Sequence, residues 1–219
     1  MAIYMWREPS APFTPWANTL YYFPFTSDAL DKWSNWYSLS ASWAQATIGR
    51  TFNTVVSLNK QAKPSQWTAL MWMNVANKWS WYSSSDCSLC VCNLPWYFSY
   101  KIAEPSSWGW TDRLQYTSSW PNTNYKLVGL QLNNWYHLAW TYSTTAGAVC
   151  WINWTRYALS TSTSPYTWYG TAFYTQFLTN GGSTKAIVTL SECIAETVVW
   201  TDAQVQAYFN ATKSTYWVS

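Results

Sequence analysis

Glu192 and Glu196 are the acids whose spacing comes closest to that of a catalytic pair. Glycoside hydrolases use two carboxyl groups, which sit about 5–5.5 Å apart in a retaining enzyme. Residues four apart on one strand face the same side, but about 13 Å separates them. The nine acids of the chain include no E-x-D-x-E run, which would place carboxylates on alternate strand positions. The sequence therefore predicts no catalytic residues and a protein that is not an enzyme.

The cysteine and histidine patterns predict no metal site and no cofactor. Cys87-x2-Cys90-x-Cys92 places three thiols close together, but zinc-ligand spacing requires a second pair, and His137 is the single histidine. Cysteines inside apolar strands pack as small hydrophobic residues, so buried free thiols and a reducing folding compartment are the simpler interpretation. No nucleophile and acid accompany His137, which favours a structural role in a strand.

Two aromatic clusters supply the candidate ligand-binding residues. Trp108 and Trp110 flank Gly109, and Tyr166 and Trp168 belong to a second cluster, both on predicted loops. Aromatic rings on loops can stack against sugars, because they combine a large apolar face with a polar edge. Ordinary turn and edge aromatics are the more common origin of such clusters, and this alternative stays open.

Tryptophan and glycine occur in inverted proportion. The chain has 20 Trp and 7 Gly, whereas average usage predicts roughly fifteen glycines. Many tryptophans follow a small polar residue, as in Ser42-Trp43, and such dipeptides are typical of turns when the second residue is glycine. One interpretation is a tryptophan-rich binding surface. The favoured one is an alternative genetic code, in which UGA means glycine in the source organism but was translated as tryptophan.

Trp154 occupies a position that suits glycine. Strands predicted over 146–152 and 155–159 leave Asn153 and Trp154 as a two-residue hairpin of the Asn-Gly type, whose central residues both need a positive φ. A bulky side chain in that region is an outlier. The sequence therefore predicts either a differently built hairpin or a glycine at this position in the working protein.

About a dozen short strands separated by turn signals predict an all-β protein, a two-sheet antiparallel β-sandwich. The clearest strands cover 18–25, 67–75 and 135–142. Separate strands are predicted over 186–190 and 194–199. One domain over 18–219 is expected, preceded by an extended proline-rich arm over 1–17.

The C-terminal end predicts one short helix, at about 201–212. Thr201 is a capping residue and Asp202 is an early acid. Val205, Tyr208 and Phe209 have the spacing of an amphipathic face. The helix is expected to lie on the sandwich.

Three stretches in order along the chain carry a family resemblance. Residues 20–25 and 31–36 are similar to a YYPF strand followed by a D-x-S-G-N-G loop. Residues 134–142 and 152–155 are similar to a W-x-H-v-a-x-T-y strand and a v-N-G hairpin, and residues 194–200 are similar to a closing strand that leads into a helix. Together they resemble the concanavalin A-like lectin/glucanase superfamily, in particular its laminin-G-like (LamG) branch. The resemblance implies a jelly-roll sandwich.

The departures from this resemblance bear on the genetic code. Trp36, Trp140 and Trp154 stand where the family often has glycine, whereas Trp135 stands where the family has tryptophan. Recoding predicts changes at turns and not at core aromatics, so this distribution favours it. Trp72 and Trp135 are therefore predicted to be genuine core tryptophans.

Composition and the resemblance together suggest a function class. Charged residues are 10% of the chain and its net charge of +3 is scattered, which argues against nucleic acid and acidic membrane surfaces. No signal-peptide pattern follows Met1, and no apolar run is long enough to span a membrane.

These features favour a non-enzymatic virion structural or adhesion protein, a bacteriophage capsid-decoration, tail or fibre component assembled in the host cytoplasm. Its expected partners are copies of itself, other virion proteins or host surface glycans, and the arm over 1–17 would tether it to the particle. A cell-surface or extracellular carbohydrate-binding lectin is the alternative, and a glycoside hydrolase relative is the third hypothesis.

Overall fold

Fourteen β-strands, one α-helix and one 3-10 turn make up the described part of the chain. The computed structural model describes residues 17–23, 43–45, 50–52, 56–62, 65–77, 87–91, 98–106, 109–119, 122–127, 129–160, 172–179 and 187–216. The predicted arm over residues 1–17 lies outside these ranges except for its last residue. The strand pairings within them are antiparallel.

The first sheet has eight strands: β1 (Thr19–Phe23), β2 (Trp43–Gln45), β3 (Arg50–Phe52), β5 (Gln66–Asn77), β10 (Trp135–Ser143), β11 (Gly147–Ile152), β12 (Thr155–Ser160) and β14 (Ile187–Glu196). Seven of them follow the order β12-β11-β10-β5-β14-β3-β2. The remaining strand, β1, pairs with the C-terminal half of β14, and β3 pairs with its N-terminal half.

The second sheet has six strands: β4 (Val56–Ala62), β6 (Cys87–Val91), β7 (Phe98–Ser106), β8 (Gly109–Ser119), β9 (Asn122–Leu127) and β13 (Ala172–Thr179). Their order is β4-β13-β6-β7-β8-β9. The two sheets form the predicted all-β sandwich.

The central strand β5 is buried on both faces, because alternate residues of a strand point to opposite sides. Leu70 and Trp72 face the C-terminal helix, whereas Met71 and Met73 point to the opposite face, and all four are buried. The first sheet is thus covered on both faces at this strand. No helix among the described residues is long and apolar enough to cross a membrane.

The predicted C-terminal helix is present as α1 (Asp202–Thr212), followed by the 3-10 turn η1 (Lys213–Tyr216). Thr201 and Gln204 form a capping box, in which each backbone N–H donates to the other residue's side-chain oxygen. Val205, Tyr208 and Phe209 are buried, as predicted. An isolated helix of this length is marginal in water, so these side chains stabilise it by about 1.5–3 kcal/mol each on burial.

The strand β14 is continuous where the sequence predicted two strands, so that prediction was wrong. A β-bulge lies in its middle, because Ser191 pairs with Trp72 and Ile194 pairs with Leu70, which leaves one extra residue on β14. Glu192 lies in the bulge with a φ of 49°. The polar pair Ser191 and Glu192 interrupts the apolar pattern without interrupting the strand.

The hairpin between β11 and β12 is built differently from the Asn-Gly form. Asn153 has a φ of 54° while Trp154 is not in the left-handed region, which is the first of the two alternatives that the sequence left open. Asparagine tolerates this region because its short side chain can form hydrogen bonds locally. The His137 N–H donates to Asn153 Oδ1 at 2.9 Å, and the Asn153 N–H donates to the His137 carbonyl at 2.7 Å. These bonds hold the hairpin against β10.

Candidate functional site

The structure places the candidate ligand-binding aromatics only in part. Trp110 lies near the start of β8, where it pairs with Pro105 of β7. Trp108, Tyr166 and Trp168 lie outside the described residues. Their assembly into one site therefore stays a prediction.

The two spaced glutamates are both buried on β14, but they serve different contacts. Glu196 accepts a hydrogen bond from Thr19 Oγ1 of β1 at 3.3 Å and another from the indole N–H of Trp200. Glu192 accepts from the hydroxyl of Tyr208 on α1 at 2.8 Å. Each carboxyl group thus fixes a different element to the first sheet.

Glu192 is the centre of a buried polar cluster between β14 and the C-terminal helix. Next to its contact with Tyr208, the hydroxyl of Tyr216 donates to Ser191 Oγ at 2.9 Å. Burial raises the pKa of Glu192, and hydrogen bonding from the two tyrosines opposes the rise. The left-handed backbone at Glu192 costs free energy in a non-glycine residue, and the side chain of the same residue anchors the helix.

His137 lies beside this cluster, fully buried on β10. Its ring is 5.2 Å from the Trp72 ring, 5.5 Å from the Tyr208 ring and 5.9 Å from the Phe209 ring. No described residue is a hydrogen-bond partner of its Nδ1 or Nε2. Burial lowers the pKa of His137 to about 3, and the nearby backbone of Asn153 opposes the shift only weakly. The imidazole is therefore neutral at physiological pH.

Trp72 joins the aromatic layer under the helix. Its ring stacks on Tyr216 with centroids 4.2 Å apart and on Phe209 at 5.8 Å. Its indole N–H donates to Thr212 Oγ1 at 3.1 Å, which satisfies a buried polar group. Trp135 packs against the same layer and is partly buried. Trp72 is thus a core residue as predicted, and Trp135 borders the core.

The entry to α1 is fixed by Thr68 of β5. Its hydroxyl donates to the Val198 carbonyl at 2.8 Å and accepts from the Trp200 N–H at 2.8 Å. A single side chain therefore satisfies two backbone groups in the connection between β14 and the helix.

The cysteines for which side-chain contacts are described behave as the sequence predicts. Cys150 and Cys193 are free and buried, and burial raises the pKa of both thiols. Cys87 and Cys90 lie in β6, and Cys92 is outside the described residues. The described part of the chain contains no group of three or more His, Cys, Asp or Glu residues able to hold a metal ion.

Two large hydrophobic side chains are exposed in the described part of the chain. Leu132 is 45% exposed in the loop before β10, and Trp154 is 67% exposed at the β11–β12 hairpin. Nearby, Arg156 Nε lies 3.1 Å from Asp202 Oδ2, but both side chains are well exposed. Such an exposed ion pair contributes little to stability.

Sequence reasoning missed the polar cluster beneath the helix. It forms because the bulge turns Glu192 towards α1. The bulge was not predicted, because the segment Ser191-Glu192-Cys193 contains no glycine or proline, the residues that usually indicate an irregularity in a strand. The available signal was an acid inside an otherwise apolar strand, together with tyrosines at 208 and 216. The hydrogen bonds of this cluster hold α1 and η1 on the first sheet.

No protein-family model and no curated protein matches this sequence. Among solved structures, the binding domain of Paraclostridial Mosquitocidal Protein 1 superposes with a TM-score of 0.66 and 12% identity, over 89% of this chain and 52% of that one. The botulinum neurotoxin serotype G binding domain gives 0.65 and 10% identity, over 90% and 52%.

A third structure concerns cell entry of botulinum neurotoxin type C through two ganglioside molecules, and gives 0.64 and 8% identity over 89% and 51%. This chain therefore spans about half the length of those proteins. At such identities the likeness shows that the sandwich fold is shared.

Proposed function

We propose that this protein is a non-catalytic module that binds glycans through loops of a concanavalin A-like, LamG-type sandwich. The observation that carries the proposal is the superposition of about nine tenths of the chain on toxin receptor-binding domains. One of those proteins interacts with two ganglioside molecules, and another binding domain was solved in complex with rat synaptotagmin II. A role in recognising glycans or receptor proteins outside the cell fits these neighbours.

The use of the buried carboxyl groups supports a binding role. Glu192 and Glu196 hold α1 and β1 on the sheet through direct hydrogen bonds. A general acid or a nucleophile must instead reach the substrate. The geometry thus assigns both glutamates to the architecture.

The candidate glycan contacts are Trp108, Trp110, Tyr166 and Trp168. Rings of this kind contribute a large contact area at low conformational-entropy cost. Trp110 is the second residue of β8 after the β7–β8 connection, so its backbone is held by the sheet. A rigid strand end is a better support for a binding residue than a long loop.

A glycan array probed with the purified full chain tests this proposal. We expect binding to a subset of glycans, lost in Trp110→Ala and Trp168→Ala. Trp154→Ala is the matched control, because it removes an exposed tryptophan outside the two clusters and should bind as the unmodified chain does. Equal binding by all three variants would reject these residues as contacts, and no binding by the unmodified chain would reject the function.

The finer hypothesis of a bacteriophage adhesion or capsid-decoration protein stays a prediction, and glycan recognition is compatible with it. It requires the chain to be part of a particle together with copies of itself or other virion proteins. Proteomic analysis of purified particles from the source sample decides this: recovery of the chain with capsid proteins supports it, and recovery in the particle-free fraction contradicts it.

A further inference from the structure

One basic and one acidic group are buried under the same C-terminal segment (residues 201–216). His137 of β10 and Glu192 of β14 are 0% and 2% exposed. Tyr208 of α1 lies between them, with its ring 5.5 Å from the imidazole and its hydroxyl 2.8 Å from Glu192 Oε2. Any motion that lifts the segment exposes both groups to water.

No described residue near His137 could accept a hydrogen bond from a protonated imidazole ring. Trp72, Tyr208 and Phe209 surround the ring, and neither ring nitrogen has a partner among the described residues. Aromatic faces attract a cation, but removing an ion from water costs more free energy than this attraction returns. Desolvation therefore dominates, and the neutral imidazole is the buried form.

Other titratable groups approach this cluster from each element packed against it. β14 contributes Cys193 and Glu196, β1 contributes Tyr22, and η1 contributes Lys213, whose Nζ lies 5.8 Å from the Phe209 ring, and Tyr216. Burial raises the pKa of the Tyr22, Tyr216 and Cys193 side chains. Those three therefore stay neutral over the acidic range in which His137 and Glu192 titrate.

We propose that His137 and Glu192 form a compensated proton pair, which keeps the C-terminal segment docked from neutral to mildly acidic conditions. In the docked state burial lowers the pKa of the His137 imidazole and raises the pKa of the Glu192 carboxyl group. In the exposed state at mildly acidic pH the imidazole carries a proton and the carboxyl group does not. Docking thus changes the proton affinities of the two side chains in opposite directions. This inference is independent of the ligand that the protein binds.

Titration of His137 and titration of Glu192 change the free energy of docking in opposite directions. The pKa of His137 is about 3 when docked and 6.5 when exposed, so its contribution to docking is lost as the pH falls below 6.5. The pKa of Glu192 is raised above the exposed value of 4.5, so its contribution is present at low pH and is lost as the pH rises above 4.5. From pH 4.5 up to the docked pKa of Glu192 the two slopes have opposite signs.

Removing either partner should therefore expose the pH dependence of the other. In Glu192→Gln, we expect the unfolding equilibrium constant to rise as the pH falls from 6.5 to 4.5, by up to about tenfold per pH unit. In His137→Phe, which keeps an aromatic ring against Trp72, it should rise as the pH increases above 4.5. The unmodified chain should show a shallower profile than either variant. Asp202→Asn is the control, because it removes an exposed carboxylate at the same helix and should keep the profile of the unmodified chain.

NMR on the unmodified full chain gives an independent measurement. His137 is the only histidine, so its ring proton signals are unambiguous. We expect them to stay unchanged from pH 8 to pH 5 while the protein remains folded. A midpoint near the ordinary value of about 6.5 in the folded protein would overturn the proposal, as would variants whose pH profiles shift in the same direction or do not shift. If one variant fails to fold, the NMR titration and the other variant still decide.

Discussion

Asn153 and Asn133 share a left-handed backbone but use their side chains differently. Their φ angles are 54° and 61°. Asn153 Oδ1 accepts from the His137 N–H, a contact that depends on the side chain. Asn133 donates its backbone N–H to the Val75 carbonyl at 2.9 Å, a contact that any residue other than proline keeps. The first asparagine is therefore needed for its side chain, whereas conformation alone explains the second.

Glycine substitutions separate these two roles. Asn153→Gly keeps the positive φ but leaves the His137 N–H without its acceptor, so we expect a loss of about 1–3 kcal/mol in the free energy of unfolding. Asn133→Gly keeps both the φ and the backbone bond, so the change should stay within about 1 kcal/mol. Urea unfolding of both variants checks this. Equal losses would show that the Asn153 side chain does not clamp the hairpin.

Three described tryptophans differ in whether their indole N–H has a hydrogen-bond acceptor. Trp72 donates to Thr212, and Trp200 donates to Glu196. Trp140 is fully buried, and its indole N–H has no partner among the described residues. Such a group costs about 1–3 kcal/mol. Trp140 and Trp154 are also two of the positions at which the resembling family often has glycine.

We therefore expect glycine at Trp140 and Trp154 in the protein made by its source organism, and tryptophan at Trp72. Peptide mass spectrometry of the native protein measures this directly, because each replacement of an indolylmethyl group by hydrogen lowers the peptide mass. Tryptophan at both positions would contradict recoding there. The Trp72 peptide is the internal control, since its indole is stacked and hydrogen-bonded.

At the element scale, the C-terminal helix was predictable and the bulge in β14 was not. Thr201, Asp202 and the spacing of Val205, Tyr208 and Phe209 are local signals, and the structure confirms the helix at Asp202–Thr212. The bulge depends on which residues of β5 face Ser191 and Ile194. Such pairing between distant strands is set by tertiary packing and leaves little trace in local sequence.

The capping box gives a direct test of the helix start. Thr201→Ala removes the acceptor of the Gln204 N–H, and we expect a loss of about 1 kcal/mol in the free energy of unfolding. Gln206→Ala is the matched control, because Gln206 is exposed on the same helix and lies outside the box. Chemical denaturation of the two variants measures the difference. A Thr201→Ala variant as stable as the control would show that the capping box does not stabilise the protein.

At the scale of the whole molecule, the two faces of the first sheet differ in chemistry. The face away from the helix is apolar, as at Met71, Met73 and Leu138, whereas the face towards the helix carries His137 and Glu192. Alternating apolar residues made the sandwich predictable from sequence. The conformation of the loops that carry the candidate ligand-binding residues was not, because no periodicity constrains it.

Binding to glycolipid-bearing vesicles tests the central claim, a sandwich that we propose recognises glycans without transforming them. The purified full chain is sedimented with lipid vesicles that contain a mixture of glycolipids and with vesicles of the same lipids that lack them. We predict sedimentation only with the glycolipid vesicles, competition by the free oligosaccharides, and recovery of those oligosaccharides intact. Absence of binding, equal binding to both kinds of vesicle, or release of cleaved sugar would contradict this claim.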